Sequence, residues 1–262
     1  GELTDKHPIV ELRLFARRNF LSGTLSLSVA YGLFFGNVVL LPLWLQQFMG
    51  YTATWAGLAT APVGLLAIVL SPWVGKNVSR IDPRRLATVA FVGFGAVLWM
   101  RSHFNTQADF TTILIPTLLQ GAAMAFFFIP LQAIVFSGLR PDQMPSAAGL
   151  SNFVRITAGA VGTSLFTTLW ESRAALHHAQ LAEAVNDGSA TAVGTIAQLM
   201  ASGMSREQAL SNIDRILNQQ AFTLAVTDLF YLSSGLFFLL VGVVWLSRPI
   251  RGVGGGGGGG AH

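Results

Sequence analysis

Residues 19–75 read NFLSGTLSLSVAYGLFFGNVVLLPLWLQQFMGYTATWAGLATAPVGLLAIVLSPWVG, fifty-seven residues closed by Arg18 and Lys76, with no Asp, Glu, Lys or Arg between them. An uncharged apolar run of about 18 residues suffices for one membrane crossing, and this run is long enough for two. The rest of the chain agrees. Of 262 residues, 52% are hydrophobic and only 11% are charged, whereas a soluble domain carries about 25% charged residues. Too little polar surface is present to cover a water-facing globule. The reading is an all-α polytopic membrane bundle.

Outward from those two crossings, six spans fit: 20–46, 54–75, 86–103, 110–138, 146–170 and 222–246. The uncharged core of the third, 86–100, has only fifteen residues, so Arg101 is expected to snorkel toward the interface. Pro42, Pro62, Pro72, Pro116 and Pro130 fall inside spans. In a soluble helix each costs about 3 kcal/mol. Packed membrane helices tolerate them, because neighbouring helices and polar side chains satisfy the freed carbonyls. Kinks and packing are the plain reading of these residues, gating hinges the functional one. Gly32 and Gly36 form a GxxxG step suited to close helix approach.

Lysine and arginine set the orientation. Residues 1–19, the loop 76–85, Arg140 and the tail hold eleven cations; the opposite set, Arg101, Arg173, Arg206 and Arg215, holds four. The positive-inside rule puts the first set, both ends included, in the cytoplasm. All six tryptophans fall within a few residues of a span end, where an amphipathic indole suits a bilayer interface. The net charge of +4 needs no nucleic-acid partner, because the cations flank apolar spans. The absence of cysteine excludes disulfides, thiolate metal sites and Cys nucleophiles. The sequence opens on Gly1 and shows no signal-peptide pattern, and is read as the C-terminal part of a longer protein.

The chain then divides into a cytoplasmic lead-in (1–19), five spans (20–170), a long outer helical loop (171–221), a sixth span (222–246) and a flexible glycine-rich cytoplasmic tail (247–262). The loop reads as two or three helical pieces, broken at 186–189 and at Gly203, with Ser205 and Gln208 at capping-box spacing for a helix through about Asn218. A loop of this length normally has a purpose; a solvated cap and a docking surface are both open. His177 and His178 are adjacent, so on a helix they diverge by about 100° and ligate one metal poorly. No metal site is expected. The tail matches GxGxxG only through low complexity.

Arg155 is the anomaly. The twelve residues before it and the fifteen after it carry no charge, and it lies roughly 13 Å into a helix that starts near Ser146. Ala148, Ser151, Asn152, Arg155, Gly159, Gly162 and Phe166 form a small, polar stripe at spacings of three and four. Leu150, Val154, Thr157, Val161 and Leu165, opposite, should face lipid. An intramembrane cation costs at least about 2.5–3.5 kcal/mol at mid-helix and usually marks function. It either pairs with a carboxylate or helix carbonyls, snorkels inward, binds an anionic substrate group, or modulates a nearby acid. Asn37, Gln120, Gln132 and Asp228 are the other polar groups within spans. Asp228 lies about 9–10 Å deep; burial would raise its pKa toward a proton-exchange range, while an interfacial acid is the plainer reading. No HExxH, GxSxG, P-loop or paired intramembrane carboxylates occur, so an enzyme is not expected.

LRLFARRNF (12–20), GYTATWAGLATAPVG (50–64), SNFVRITAGAVGTS (151–164) and the glycine-rich end finishing in Ala-His resemble the EmrB-type multidrug efflux transporters, in the fourteen-helix drug:proton antiporter branch of the major facilitator superfamily. GKNVSRIDPRR (75–85) resembles that superfamily's G-x-x-x-D-R-x-G-R-R loop. Gly75, Arg80 and Arg84 match, Ser79 replaces the Asp and Asp82 the second Gly; with Arg85 these form the candidate gating loop. The resemblance implies the last six helices of a carrier in the bacterial inner membrane. It implies proton-driven export of hydrophobic, often weakly acidic drugs and uncouplers, without a cofactor. It also implies a periplasmic membrane-fusion adaptor, met by the loop 171–221, and an outer-membrane channel. Sites in this superfamily lie near the midplane between two halves, so Arg155, Asn152, Gln132, Gln120, Asn37 and Asp228 are pathway candidates. An importer or exchanger of one solute is the alternative.

Overall fold

The computed structural model describes residues 12–185 and 190–249. Most of the lead-in, the expected break at 186–189 and the tail from residue 250 lie outside the described residues. Among the described residues there is no strand. The helices are α1 (Arg18–Gln47), α2 (Ala53–Thr60), α3 (Val63–Asn77), α4 (Pro83–Arg101), α5 (Phe110–Ala125), α6 (Phe128–Val135), α7 (Met144–Ala184), α8 (Ala190–Ala201) and α9 (Arg206–Trp245).

The starts of these helices are written in local side chains. Thr52, Asp82 and Asp109 each accept a hydrogen bond from a backbone N–H in the first turn of α2, α4 and α5, satisfying donors that have no partner within the helix. Ser205 and Gln208 close both arms of their capping box. The helix they open does not stop near Asn218; it continues through the sixth span to Trp245 as one rod. Gly203, at φ +98°, ends the preceding segment in a conformation that favours glycine. Likewise α7 runs past Trp170 to Ala184 without a break. The segment 171–221 therefore extends two spans as helical arms, with α8 between them.

Two spans are interrupted. The second divides at Ala61-Pro62, where Pro62 supplies no N–H and precedes α3. The fourth divides at Phe126-Phe127, whose N–H groups reach back only three residues, to Ala123 and Met124, a tightening typical of helix ends. Pro42, Pro72 and Pro116 stay inside helices.

Helix α1 is central, packed on α7 and α9. The GxxxG step works against α7: a Cβ on Gly162 would lie 2.3 Å from the Gly32 carbonyl oxygen, and one on Gly36 would lie 2.6 Å from the Phe166 ring. An aromatic cluster ties α4, α6 and α9 together, with Phe94 5.1 Å from Phe237 and 5.5 Å from Phe127. Such pairs add about 0.5–1.5 kcal/mol each beyond area burial. Four stretches, Arg18–Gln47, Ala53–Asn77, Phe110–Val135 and Arg206–Trp245, are long and apolar enough to cross a membrane. The third and fifth expected spans, α4 and α7, complete the same bundle with more polar sequences. Ala53–Asn77 is its least covered member, 11% buried against 61% for α1, and shows Leu65, Ile68, Val69 and Trp73 to the outside.

The partition of the loops into two sets holds. At one end Arg17 donates to the Gly138 carbonyl, Arg18 to that of Leu246, Asn19 to the Ser137 hydroxyl and Arg84 to the Ser247 carbonyl. At the other end Phe48 stacks on Phe222 and meets Trp170 edge to face. The tryptophan reading needs a correction. Trp55, Trp73, Trp99 and Trp245 are exposed, but Trp44 and Trp170 are buried and spend their indole N–H groups on the Thr223 hydroxyl and the Phe222 carbonyl. These two are core anchors, because helix-end indoles facing a neighbouring helix find partners there before they find an interface.

Candidate functional site

Helix α7 begins at Met144, which puts Arg155 about 16 Å along it. Its guanidinium lies over two rings, 4.8 Å from the centroid of Tyr31 on α1 and 5.9 Å from that of Phe128 on α6. It donates to the Asn152 side-chain carbonyl one turn back. Its Nε is buried without a partner, and no carboxylate among the described residues pairs with it. The carboxylate-paired reading of Arg155 is thereby corrected: ring faces, attractive to a cation through their quadrupole, take the place of a counter-ion. The inward stripe holds only in part: Ser151, Gly159, Gly162 and Phe166 are buried, whereas its other members Ala148 and Asn152 are exposed. The opposite stripe is only partly outward. Val161 and Leu165 are exposed, whereas Leu150 is buried and Val154 packs on the core, because the start of α7 is wrapped on two sides.

Gln132 lies one turn after Phe128 on α6, and its Oε1 is buried with no partner. Asn37 is buried in α1, donating to the Leu33 carbonyl and the Ser233 hydroxyl while its own Oδ1 stays unpartnered. Gln120 goes elsewhere. Its Oε1 accepts a 2.7 Å hydrogen bond from Arg101, whose Nη2 also reaches the Thr117 hydroxyl at 3.2 Å. Arg101 does not snorkel. Its residue is 2% exposed, and its Nε is buried without a partner. The reason is tertiary: α5 packs against α4, and its Thr117–Gln120 pair, three residues apart on one face, offers acceptors at that depth. The sequence signals for this were the shortness of the third span's uncharged core and that polar pair.

Asp228 is not the buried acid its depth suggested. Its side chain is 37% exposed and meets His177 at 2.9 Å and Arg173 at 3.7 Å, both from α7. His178 instead pairs with Asp214 at 3.1 Å, so the two histidines serve different acids. In the loop 75–85, Gly75, Arg80 and Arg85 are exposed. Asp82 caps α4 and forms a 2.7 Å ion pair with Arg84, which also lies 4.9 Å over the Trp245 ring. The Arg84 hydrogen bonds hold the Asp82 carboxyl below the usual carboxylate range.

Apolar helices long enough to cross a membrane, packed around buried polar side chains, define a multi-pass helical membrane protein with polar sites in its interior. Residues 2–163 match the Major Facilitator Superfamily, and the chain belongs to that family. It is similar over its whole length, at 45% identity, to the multidrug export protein EmrB of Escherichia coli, covering 51% of that protein. It is 42% identical over 95% of its length to the fatty acid resistance protein FarB of Neisseria gonorrhoeae, covering 49% of it. To the probable multidrug resistance protein EmrY of E. coli it is 39% identical over 97% of its length, covering 50% of that protein. The chain spans about half the length of the curated relatives it matches.

Proposed function

We propose that this chain is the C-terminal part of a proton-coupled multidrug efflux transporter of the bacterial inner membrane, with its tail in the cytoplasm. It exports hydrophobic drugs and uncouplers by alternating access as protons flow inward. Similarity to multidrug export proteins supports the export direction. The observation that carries the reading is Arg155: a permanent cation held over Tyr31 and Phe128 with an unpartnered Nε–H and no counter-ion among the described residues. Such a group suits an aromatic or apolar anion, which gains the charge and the rings together.

Arg155→Ala in the whole transporter is expected to cut export of acidic drugs roughly tenfold, the scale of one lost charge-assisted hydrogen bond. Neutral-drug export and expression should stay near wild type. The check is drug accumulation in cells with the proton gradient intact or collapsed; equal export of both drug classes by the variant rules out the binding role.

The arms α7 and α9, with α8 between them, are the face for a periplasmic adaptor and, through it, an outer-membrane channel. Val193, Met200, Leu210 and Ile216 stand exposed there, an apolar set ready for a partner. Deleting residues 186–203 is expected to weaken co-purification with the adaptor. Undiminished co-purification would remove this assignment.

A further inference from the structure

The end of α9 gathers arginines from three elements. Arg18 at the start of α1 donates through Nε to the Leu246 carbonyl, and Arg84 near the start of α4 donates to the Ser247 carbonyl at 3.1 Å. The Arg248 backbone is held by Asn19, which takes its N–H and donates to its carbonyl. Arg85 follows Arg84, is exposed, and makes no hydrogen bond or ion pair among the described residues. The acceptors here are neutral carbonyls apart from Asp82, which Arg84 already pairs at 2.7 Å. Four arginines against one aspartate leave the cluster positive, and Arg18 and Arg248 are exposed along with Arg85.

An apolar strip leads away from this cluster. Arg85, Thr88, Val92 and Gly95 share one face of α4 at spacings of three and four, about 15 Å of helix. Helix α9 lies alongside. Trp245 donates its indole N–H to the Thr88 hydroxyl at 3.0 Å, and Gly95 admits the Phe238 ring, since a Cβ there would lie 2.9 Å from Phe238 Cζ. Val92, Phe238 and Trp245 are each nearly half exposed. The seam between α4 and α9 therefore shows rings and aliphatic groups to the outside beside a cationic end. Trp245 stands at the boundary, where an indole suits a headgroup region.

The two parts select one kind of partner. A soluble anion would leave the strip uncovered. An ethanolamine or choline headgroup would bring its own cation into a cluster already in positive excess. Arg18 and Arg84 are anchored on backbone carbonyls, so less side-chain freedom is lost when a headgroup arrives. We infer that this end of the α4–α9 seam is a binding site for an anionic phospholipid, with its phosphate on the arginine cluster, Arg85 foremost, and an acyl chain over Val92, Phe238 and Trp245. The site is separate from Arg155 and stands independently of the export reading, since occupancy is measured without transport.

The test is native mass spectrometry of the whole transporter in detergent, titrated with phosphatidylglycerol or with phosphatidylethanolamine of the same acyl chains. Phosphatidylglycerol is expected to bind at least fivefold more tightly, the scale of one cation beside an anionic headgroup. Arg85→Gln should weaken phosphatidylglycerol about fivefold and leave phosphatidylethanolamine unchanged, and adding Arg248→Gln should bring the loss to roughly twenty-five-fold. Arg85→Lys should keep the preference. Arg85 is exposed and unpartnered, so these changes leave the packing intact. Arg140→Gln is the reference: it removes an exposed arginine in the connection between α6 and α7 and should change neither lipid. Glycerol phosphate, a headgroup without chains, should fail to displace phosphatidylglycerol. Equal affinity for the two lipids, unaltered phosphatidylglycerol binding in Arg85→Gln, or an equal loss in Arg140→Gln overturns the assignment. Displacement by glycerol phosphate at the concentration of the lipid itself overturns it too, in favour of a free phosphate site.

Discussion

Arg155 and Arg101 are both guanidiniums held within an apolar bundle without a carboxylate partner among the described residues, yet their surroundings differ in kind. Arg155 is half-buried, leans on two aromatic faces and donates to Asn152 within its own helix. Arg101 is fully buried, and its hydrogen bonds all reach another helix. The first arrangement leaves the cation movable and open to a ligand that brings rings or charge. The second fixes the cation in place. Burying a charge therefore follows no single recipe, and the depth of a cation is decided by which helices close over it.

Both regions depend on a glycine that admits a foreign backbone: Gly162 against the Gly32 carbonyl beneath Arg155, and Gly121 against the Val63 carbonyl beneath Arg101. Gly162→Ala and Gly121→Ala should each destabilise by about 1–3 kcal/mol or more, since the clashing atoms are main chain and cannot rotate away. Gly149→Ala is the internal reference. It lies on the same helix as Gly162 with nothing within 4 Å of its would-be Cβ, so alanine there should gain about 0.5–1 kcal/mol. Thermal unfolding of the detergent-solubilised transporter reads all three. If Gly121→Ala unfolds like wild type, the close approach of Val63 beneath Arg101 does not exist as described, and the contrast between the two cations collapses.

What the sequence made legible tracks how local each cause is. The crossings follow from the charge-free run at 19–75, and the helix starts from caps such as Ser205, because the information lies within a few residues. Gly32, Gly36, Gly159 and Gly162 were readable as a packing seam, for small residues at helical spacing have few other uses in lipid. Arg155 was readable as inward-facing because its own stripe is small. Its partners were not, since Tyr31 and Phe128 come from helices more than a hundred and about thirty residues of chain away. Arg101 was misplaced for the same reason: a cation at a span end looks free to snorkel until α5 is laid against it. Trp44, Trp170 and the pairing of Asp228 with His177 also depend on which helix faces which, and periodicity alone does not carry that.

A third cation sharpens the contrast. Arg84 stands at the bundle's end and does have a carboxylate, Asp82, with side-chain exposures of 11% and 22%. Its fork also reaches the Ser247 carbonyl and the Trp245 ring, so the pair joins the loop before α4 to the end of α9. Asp82→Asn keeps a cap oxygen for the Arg84 N–H but removes the charge, and should cost about 1 kcal/mol or less near neutral pH. The sign with pH follows from the direction of the shift. The Asp82 carboxyl is held low by Arg84, so its contribution is fully present above the unfolded value of about 3.9. It fades as pH falls through the lower folded value. Melting temperatures of wild type and Asp82→Asn should therefore differ by a constant amount above about pH 5 and converge below about pH 4. A gap that persists at the acid end, or none at neutral pH, would mean that Arg84 is held by Ser247 and Trp245 alone. Arg84 would then be no better neutralised by its carboxylate than Arg155 and Arg101 are by their neutral partners.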